Sequence, residues 1–118
     1  MGQDTVTSTI AELEERLKRS QSPQEKVAAL NALAWELRYH DLSRALELAQ
    51  AAAETVQTLD PHSDETEHLL ADSLSSLATL IGLEGDFEHS LPHALAAQAL
   101  YEKHNDAIGQ IRVWRALG

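Results

Sequence analysis

The chain has 118 residues, enough for one domain with a single core, and carries a net charge of −10 from 19 acidic against 9 basic side chains. With no Lys/Arg cluster to offset that charge, nucleic acid and anionic membrane surfaces are set aside as partners, and the absence of Cys removes disulfides and thiol chemistry. No apolar run approaches the roughly 20 residues of a bilayer span, and the polar start Met1-Gly2-Gln3-Asp4-Thr5 lacks the features of a secretion signal, so the cytoplasm is the expected compartment.

Ala and Leu carry the apolar content, since hydrophobic residues make up 43% of the chain and aromatics only 4%. Such residues lose little entropy in a helix, and an all-α chain of about six helices is expected. The first helix spans about 5–20, with Val6, Ile10, Leu13 and Leu17 on one stripe. Its other face holds Glu12/Arg16, Glu14/Lys18 and Glu15/Arg19, acid before base at i,i+4, which is a solvated pattern. Ser22-Pro23-x-Glu25 starts a second helix as N-cap, first-turn proline and capping box. Val27, Leu30, Leu33, Ala34 and Leu37 continue its stripe to about Tyr39.

Asp41 caps a third helix, Leu42 to about Leu59, with Ala45, Leu46, Leu48, Ala49, Ala52 and Val56 inward. Asp60-Pro61-His62-Ser63-Asp64 is a loop, and a fourth helix follows to Leu83 with Leu69, Leu70, Leu74, Leu77, Ala78 and Ile81. Gly85-Asp86 breaks it, and Asp86 caps a fifth helix to about Lys103 in which Pro92 must cost a hydrogen bond or bend the axis. After His104-Asn105-Asp106, Ile108, Ile111, Trp114 and Leu117 mark a last helix over about 107–117.

A repeat runs through these elements. Leu30-x-x-Leu33-Ala34, Leu74-x-x-Leu77-Ala78 and Trp114-x-x-Leu117-Gly118 begin 44 and 40 residues apart, and Ala45-Leu46 and Ser90-Leu91 recur early in the following helix. The pattern resembles the tetratricopeptide repeat, whose first helix carries Trp or Leu, then Leu three later, then a small residue. Gly85-Asp86-Phe87 is similar to that family's turn, and Ala45, Ser90, Ala52 and Ala97 stand at its small positions. Departures are a repeat longer than usual, Tyr39-His40-Asp41 as a turn without glycine, Pro92 inside a second helix, and no terminal proline. The resemblance implies a right-handed superhelix of antiparallel helix pairs. It divides 1–118 into an N-terminal helix (5–20), repeat 1 (23–59), repeat 2 (64–104) and the first helix of a third repeat (106–118). It further implies a chain that continues beyond Gly118, similar to N-terminal regions of bacterial signalling proteins such as diguanylate cyclases and sensor kinases.

That family binds ligands in a groove lined by the first helix of each pair. Carried onto this sequence, the groove positions are Asn31, Trp35 and Arg38, then Asp72, Ser75 and Thr79, then Arg112 and Arg115. Trp35 is the expected anchor, unless it packs against the N-terminal helix. The Lys/Asn clamp by which some members hold a terminal carboxylate is absent, which disfavours an acidic tail as ligand. On the last helix, Ile108, Ile111, Trp114 and Leu117 form an apolar face expected to self-associate into a dimer.

His89 and His93, four apart, have the spacing of a zinc-binding pair. Asp86 or Glu88 is the nearest third ligand, but Pro92 disturbs the helix and no second motif supports a metal. Glu54, Asp60, Asp64, Glu65 and Glu67 read as a solvated acidic loop, with no nucleophile elbow or phosphate loop beside them. The expectation is therefore a protein-interaction module without catalytic residues, metal or cofactor. Its partner is a protein, a peptide or its own downstream domain. The competing expectation is a structural segment that holds a downstream enzyme as a dimer.

Overall fold

A computed structural model describes the backbone of residues 2–117 and the side chains of residues 8–115. The chain forms six α-helices, α1 (Gly2–Arg19), α2 (Pro23–Leu37), α3 (Leu42–Val56), α4 (Asp64–Leu83), α5 (Phe87–Lys103) and α6 (Ala107–Leu117), with no strand among the described residues. None of the helices is long and apolar enough to cross a membrane.

Short polar caps start the helices. Ser22 Oγ accepts from the Glu25 amide at 3.1 Å and Asp41 Oδ1 from that of Arg44 at 3.1 Å. Ser63, Asp86 and Asp106 do the same for Thr66, His89 and Gly109. Each cap satisfies one of the donors left open at a helix start and is worth about 1 kcal/mol. Two endings share one device. Gly85 takes φ 88° after α4 and Asn105 takes φ 54° after α5, and the next amides, Asp86 and Asp106, donate back to Ile81 and Tyr101. This is a left-handed helix stop, open to Gly without strain and to Asn at small cost.

Two helices stop earlier than periodicity predicts. The α2 helix ends at Leu37 rather than Tyr39, because the Arg38 amide turns to Trp35 O and the His40 and Asp41 amides both take Leu37 O. The α3 helix ends at Val56 rather than Leu59, where Gln57, Thr58 and Leu59 switch to i−3 acceptors and Thr58 Oγ1 takes Thr55 O as well. Helix α5 runs through Pro92, and Pro92 and Glu88, whose carbonyl loses its amide partner, are both on the exposed surface.

Each helix packs on its chain neighbours, and α2·α3 and α4·α5 are the tightest pairs. Beyond these, α2 touches α4 and α4 touches α6, while α3 and α5 make no mutual contact. The helices α2, α4 and α6 therefore form one continuous layer, with α3 and α5 behind it.

The repeat is visible in the buried positions. Val27, Leu30 and Ala34 of α2 correspond to Ala71, Leu74 and Ala78 of α4, 44 residues on. Ala49, Ala52 and Val56 of α3 correspond to Ala94, Ala97 and Tyr101 of α5, 45 residues on. The Ala positions have no exposed surface or almost none, which brings backbones close where helices cross. Leu33 and Leu80 fill the space between pairs, each worth about 1.5–3 kcal/mol of burial. Leu30 is buried and Leu74 largely so, but Trp114, third in that series, is 57% exposed. No described element covers that side of α6.

Surface ion pairs depart from the expected pattern on α1. Glu15 pairs with Arg19 at 3.9 Å as predicted, and with Lys18 at 3.8 Å. Glu14 instead reaches Arg44 of α3 at 2.9 Å, tying the first helix to the first pair.

Candidate functional site

The exposed faces of α2, α4 and α6 enclose an open concavity of about 920 Å³. The structure brings all eight groove positions together on it: Asn31, Trp35 and Arg38 from α2, Asp72, Ser75 and Thr79 from α4, and Arg112 and Arg115 from α6. Equivalent register places them there. Asn31 and Ser75 lie 44 residues apart, as do Trp35 and Thr79, and Asp72 and Arg112 lie 40 apart.

One end of the concavity is aromatic. Trp35 is 38% exposed, beside Tyr39 at 72%, Phe87 at 70% and the exposed Leu83. Leu13 and Thr9 of α1 close the rim there, so Trp35 neighbours the N-terminal helix and still presents surface to the concavity. Arg38 lies over the indole, its Cζ 4.0 Å from the ring centroid, and 4.6 Å from the Tyr39 ring. Its Nη1 donates to Trp35 O, which fixes the guanidinium plane and leaves its other N–H donors unused.

The middle of the concavity is polar. Asn31 Nδ2 donates to Ser73 Oγ at 3.0 Å, and Ser73 donates in turn to Leu69 O at 2.9 Å. Because the serine proton is committed to that carbonyl, Asn31 must be the donor of the pair, and its Oδ1 remains a buried acceptor with no partner. Deeper, Tyr101 Oη donates to Asp72 Oδ1 at 2.6 Å, and Arg112 Nη1 stands 3.8 Å from the same oxygen. Burial, reinforced by the Asp72 carboxylate, pushes the Tyr101 phenol above its ordinary value.

Among the described residues, three basic side chains face this concavity, against two acidic ones, Glu36 and Asp72. Arg112 is matched by Asp72, whereas Arg38 and Arg115 have no carboxylate partner among the described residues. Tyr39, Leu83 and Phe87 belong to the site without having been singled out for it in the sequence, where Phe87 reads as a turn aromatic; the buried Tyr101 supports it from behind through Asp72.

A second cluster lies at the far edge, where α4 begins and α5 ends. Lys103 Nζ donates to both Glu67 oxygens at 2.9 Å, His104 Nε2 lies 3.7 Å from Glu67, and the His68 and His104 rings are 4.7 Å apart. Asp64, Glu67 and His104 bring their ligand-type atoms within 4.8 Å of one another, but Lys103 already neutralises the central carboxylate. The zinc-like spacing of His89 and His93 is not assembled into such a group among the described residues. His89 Nδ1 is held instead by Asp86 at 2.8 Å, and that contact holds the Asp86 carboxyl below its ordinary value.

The hydrogen bond from Lys103 likewise lowers the Glu67 carboxyl below its ordinary value of 4.5. A depressed folded-state value means the contribution is present above about pH 4.5 and disappears as pH falls through the lower folded value. In thermal melts from pH 6 to pH 3, the parent chain should therefore lose more stability than Glu67→Gln; parallel curves would remove the Lys103 latch.

On α6, Ile108 and Trp114 are exposed and Ile111 nearly half so, on the face turned from the buried Val113. The side chain of Leu117, the fourth member of the expected self-association face, lies outside the described residues. No family model, curated protein or solved structure matches this chain.

Proposed function

We propose that this chain is a tetratricopeptide-type repeat module that acts by binding a protein segment on the concave face of α2, α4 and α6. The supporting observation is the concavity itself. Positions in equivalent register on three helices converge on it, and they bring an aromatic end and unpaired guanidinium groups rather than a nucleophile with a base. Among the described residues, this is where large apolar surface and unused hydrogen-bonding groups coincide on one concave surface. Binding sites combine those two features.

The resemblance to the N-terminal regions of bacterial nucleotide cyclases and sensor kinases extends the reading. In that setting the groove regulates an enzyme domain of the same polypeptide, its occupancy passing along the stack as small rotations between helix pairs. Binding rather than catalysis is the role assigned to this part.

Trp35→Ala should weaken capture of a partner segment by about tenfold or more, the effect of removing a central aromatic anchor, with helicity by circular dichroism unchanged. Affinity equal to the parent's would take Trp35 out of the site.

A second reading rests on a different surface. Ile108, Ile111 and Trp114 form an exposed apolar strip on α6, and we assign it to self-association. Ile111→Glu with Trp114→Glu should convert dimers to monomers by light scattering and leave groove binding intact. A parent chain that is monomeric at high concentration excludes this second reading.

A further inference from the structure

Granting the groove reading above, on which this step rests, we infer that the occupant is an extended acidic peptide of a partner protein, carrying at least one bulky apolar side chain. Three features specify it. Arg38 and Arg115 stand on the concave face, and neither forms an ion pair with a carboxylate among the described residues. In a chain with 19 acids and 9 bases, guanidinium groups left unpaired in a concavity are charges held for something else. Arginine also offers a planar fork that takes a carboxylate through two parallel hydrogen bonds. The Lys/Asn clamp is missing, and arginine supplies the same charge through a different geometry.

The second feature is the aromatic end. Trp35, Tyr39, Leu83 and Phe87 leave large apolar area exposed on one side of the concavity, which favours a side chain such as Leu, Phe or Trp over a purely polar ligand. Because Arg38 stacks on both Trp35 and Tyr39, the apolar seat and one anion seat adjoin, and the ligand must carry both characters close together.

The third feature is the chain's own charge. A long polyanion fits poorly, since the net charge of −10 repels it everywhere outside the groove, whereas a short acidic segment can lie within the reach of the groove arginines.

The test uses the whole chain with Trp114→Phe, so that the remaining indole reports from Trp35, and follows its NMR resonance and fluorescence. Four octapeptide sets are titrated: acidic with Leu or Phe, the same with Lys for each acid, neutral with Leu or Phe, and acidic without an apolar residue. The first set should bind, the others at least tenfold more weakly, with affinity falling as salt rises. Arg115→Glu and Arg38→Glu should each weaken the acidic set on the order of tenfold, the effect of losing a charge-assisted hydrogen bond. The double reversal should favour the Lys set. Should Arg38→Glu disturb folding, Arg115→Glu alone decides the charge arm.

Equal binding of the acidic, basic and neutral apolar sets overturns this inference and leaves the groove reading standing. Failure of every set to move the Trp35 signal overturns both. A shift of that signal with protein concentration alone makes a second copy the occupant, and displacement of the acidic peptide by a single-stranded oligonucleotide makes it a nucleic acid; either result refutes the peptide.

Discussion

Tyr101→Ala should cost about 3–5 kcal/mol, the range for truncating a large buried aromatic, and should loosen the C-terminal half of the stack first. The ring has 1% of its surface exposed and belongs to the core cluster that joins α4, α5 and Val113 of α6. Its hydroxyl ties Asp72 of α4 to α5 at 2.6 Å. Tyr101→Phe separates the two contributions. It keeps the ring and loses one hydrogen bond, about 0.5–1.5 kcal/mol, because Asp72 borders the open concavity and water can take the vacated position.

Urea unfolding of both variants, with amide exchange along α6, checks this ordering. Equal losses for Ala and Phe would place the energy in the hydroxyl and contradict the packing argument. An alkaline limb adds a further reading. A phenol raised above its ordinary 10.0 binds its proton more tightly when folded, so its stabilisation is complete below about pH 10 and is lost as pH rises through the higher folded value. Tyr101→Phe should flatten that limb.

Tyr101 also marks what can be read in the sequence. Helix starts were legible because Ser22, Asp41 and Asp86 precede periodic apolar runs, and small polar caps act through local geometry alone. Helix ends were less so. Leu37 and Val56 end their helices by i−3 bonds and a threonine hydroxyl, which leave no apolar signature, whereas Gly85 was plain. Asn105 does the work of a second glycine through a left-handed φ that Asn accepts more readily than most residues.

The repeat was legible through small residues, since Ala34 and Ala78, or Ala52 and Ala97, must stay small wherever two backbones cross. Register then carried Asn31, Ser75 and Arg115 onto one surface. Partners across helices were not legible. Nothing along the chain tells that Asn31 meets Ser73, that Tyr101 meets Asp72, or that Glu14 chooses Arg44 over Lys18, because these contacts depend on where separate helices come to rest. The basic residues of the groove were legible only through that register. Arg38 is far in sequence from Arg112 and Arg115, and composition shows no cluster until α2, α4 and α6 are aligned.

Gly109→Ala should detach α6 from the stack at a cost of about 1–3 kcal/mol, the usual range for overpacking. Gly109 is buried with the Tyr101 ring directly against its Cα, and an added Cβ would fall within the ring atoms. Neither side yields cheaply. The ring is enclosed by Ala71, Ala94 and Ala97 and moored to Asp72, while the Gly109 amide is held at 2.9 Å by the Asp106 cap that starts α6. Displacing α6 moves Arg112 and Arg115 away from the concavity, so the variant should lose affinity for acidic peptides while α2 and α3 keep their amide protection. Adding Tyr101→Leu, which trades the flat ring for a smaller side chain, should relieve part of the penalty and make the double variant more stable than the two separate losses predict. Strict additivity would mean that the Gly109–Tyr101 contact does not seat α6, and the third wall of the groove would then need a different support.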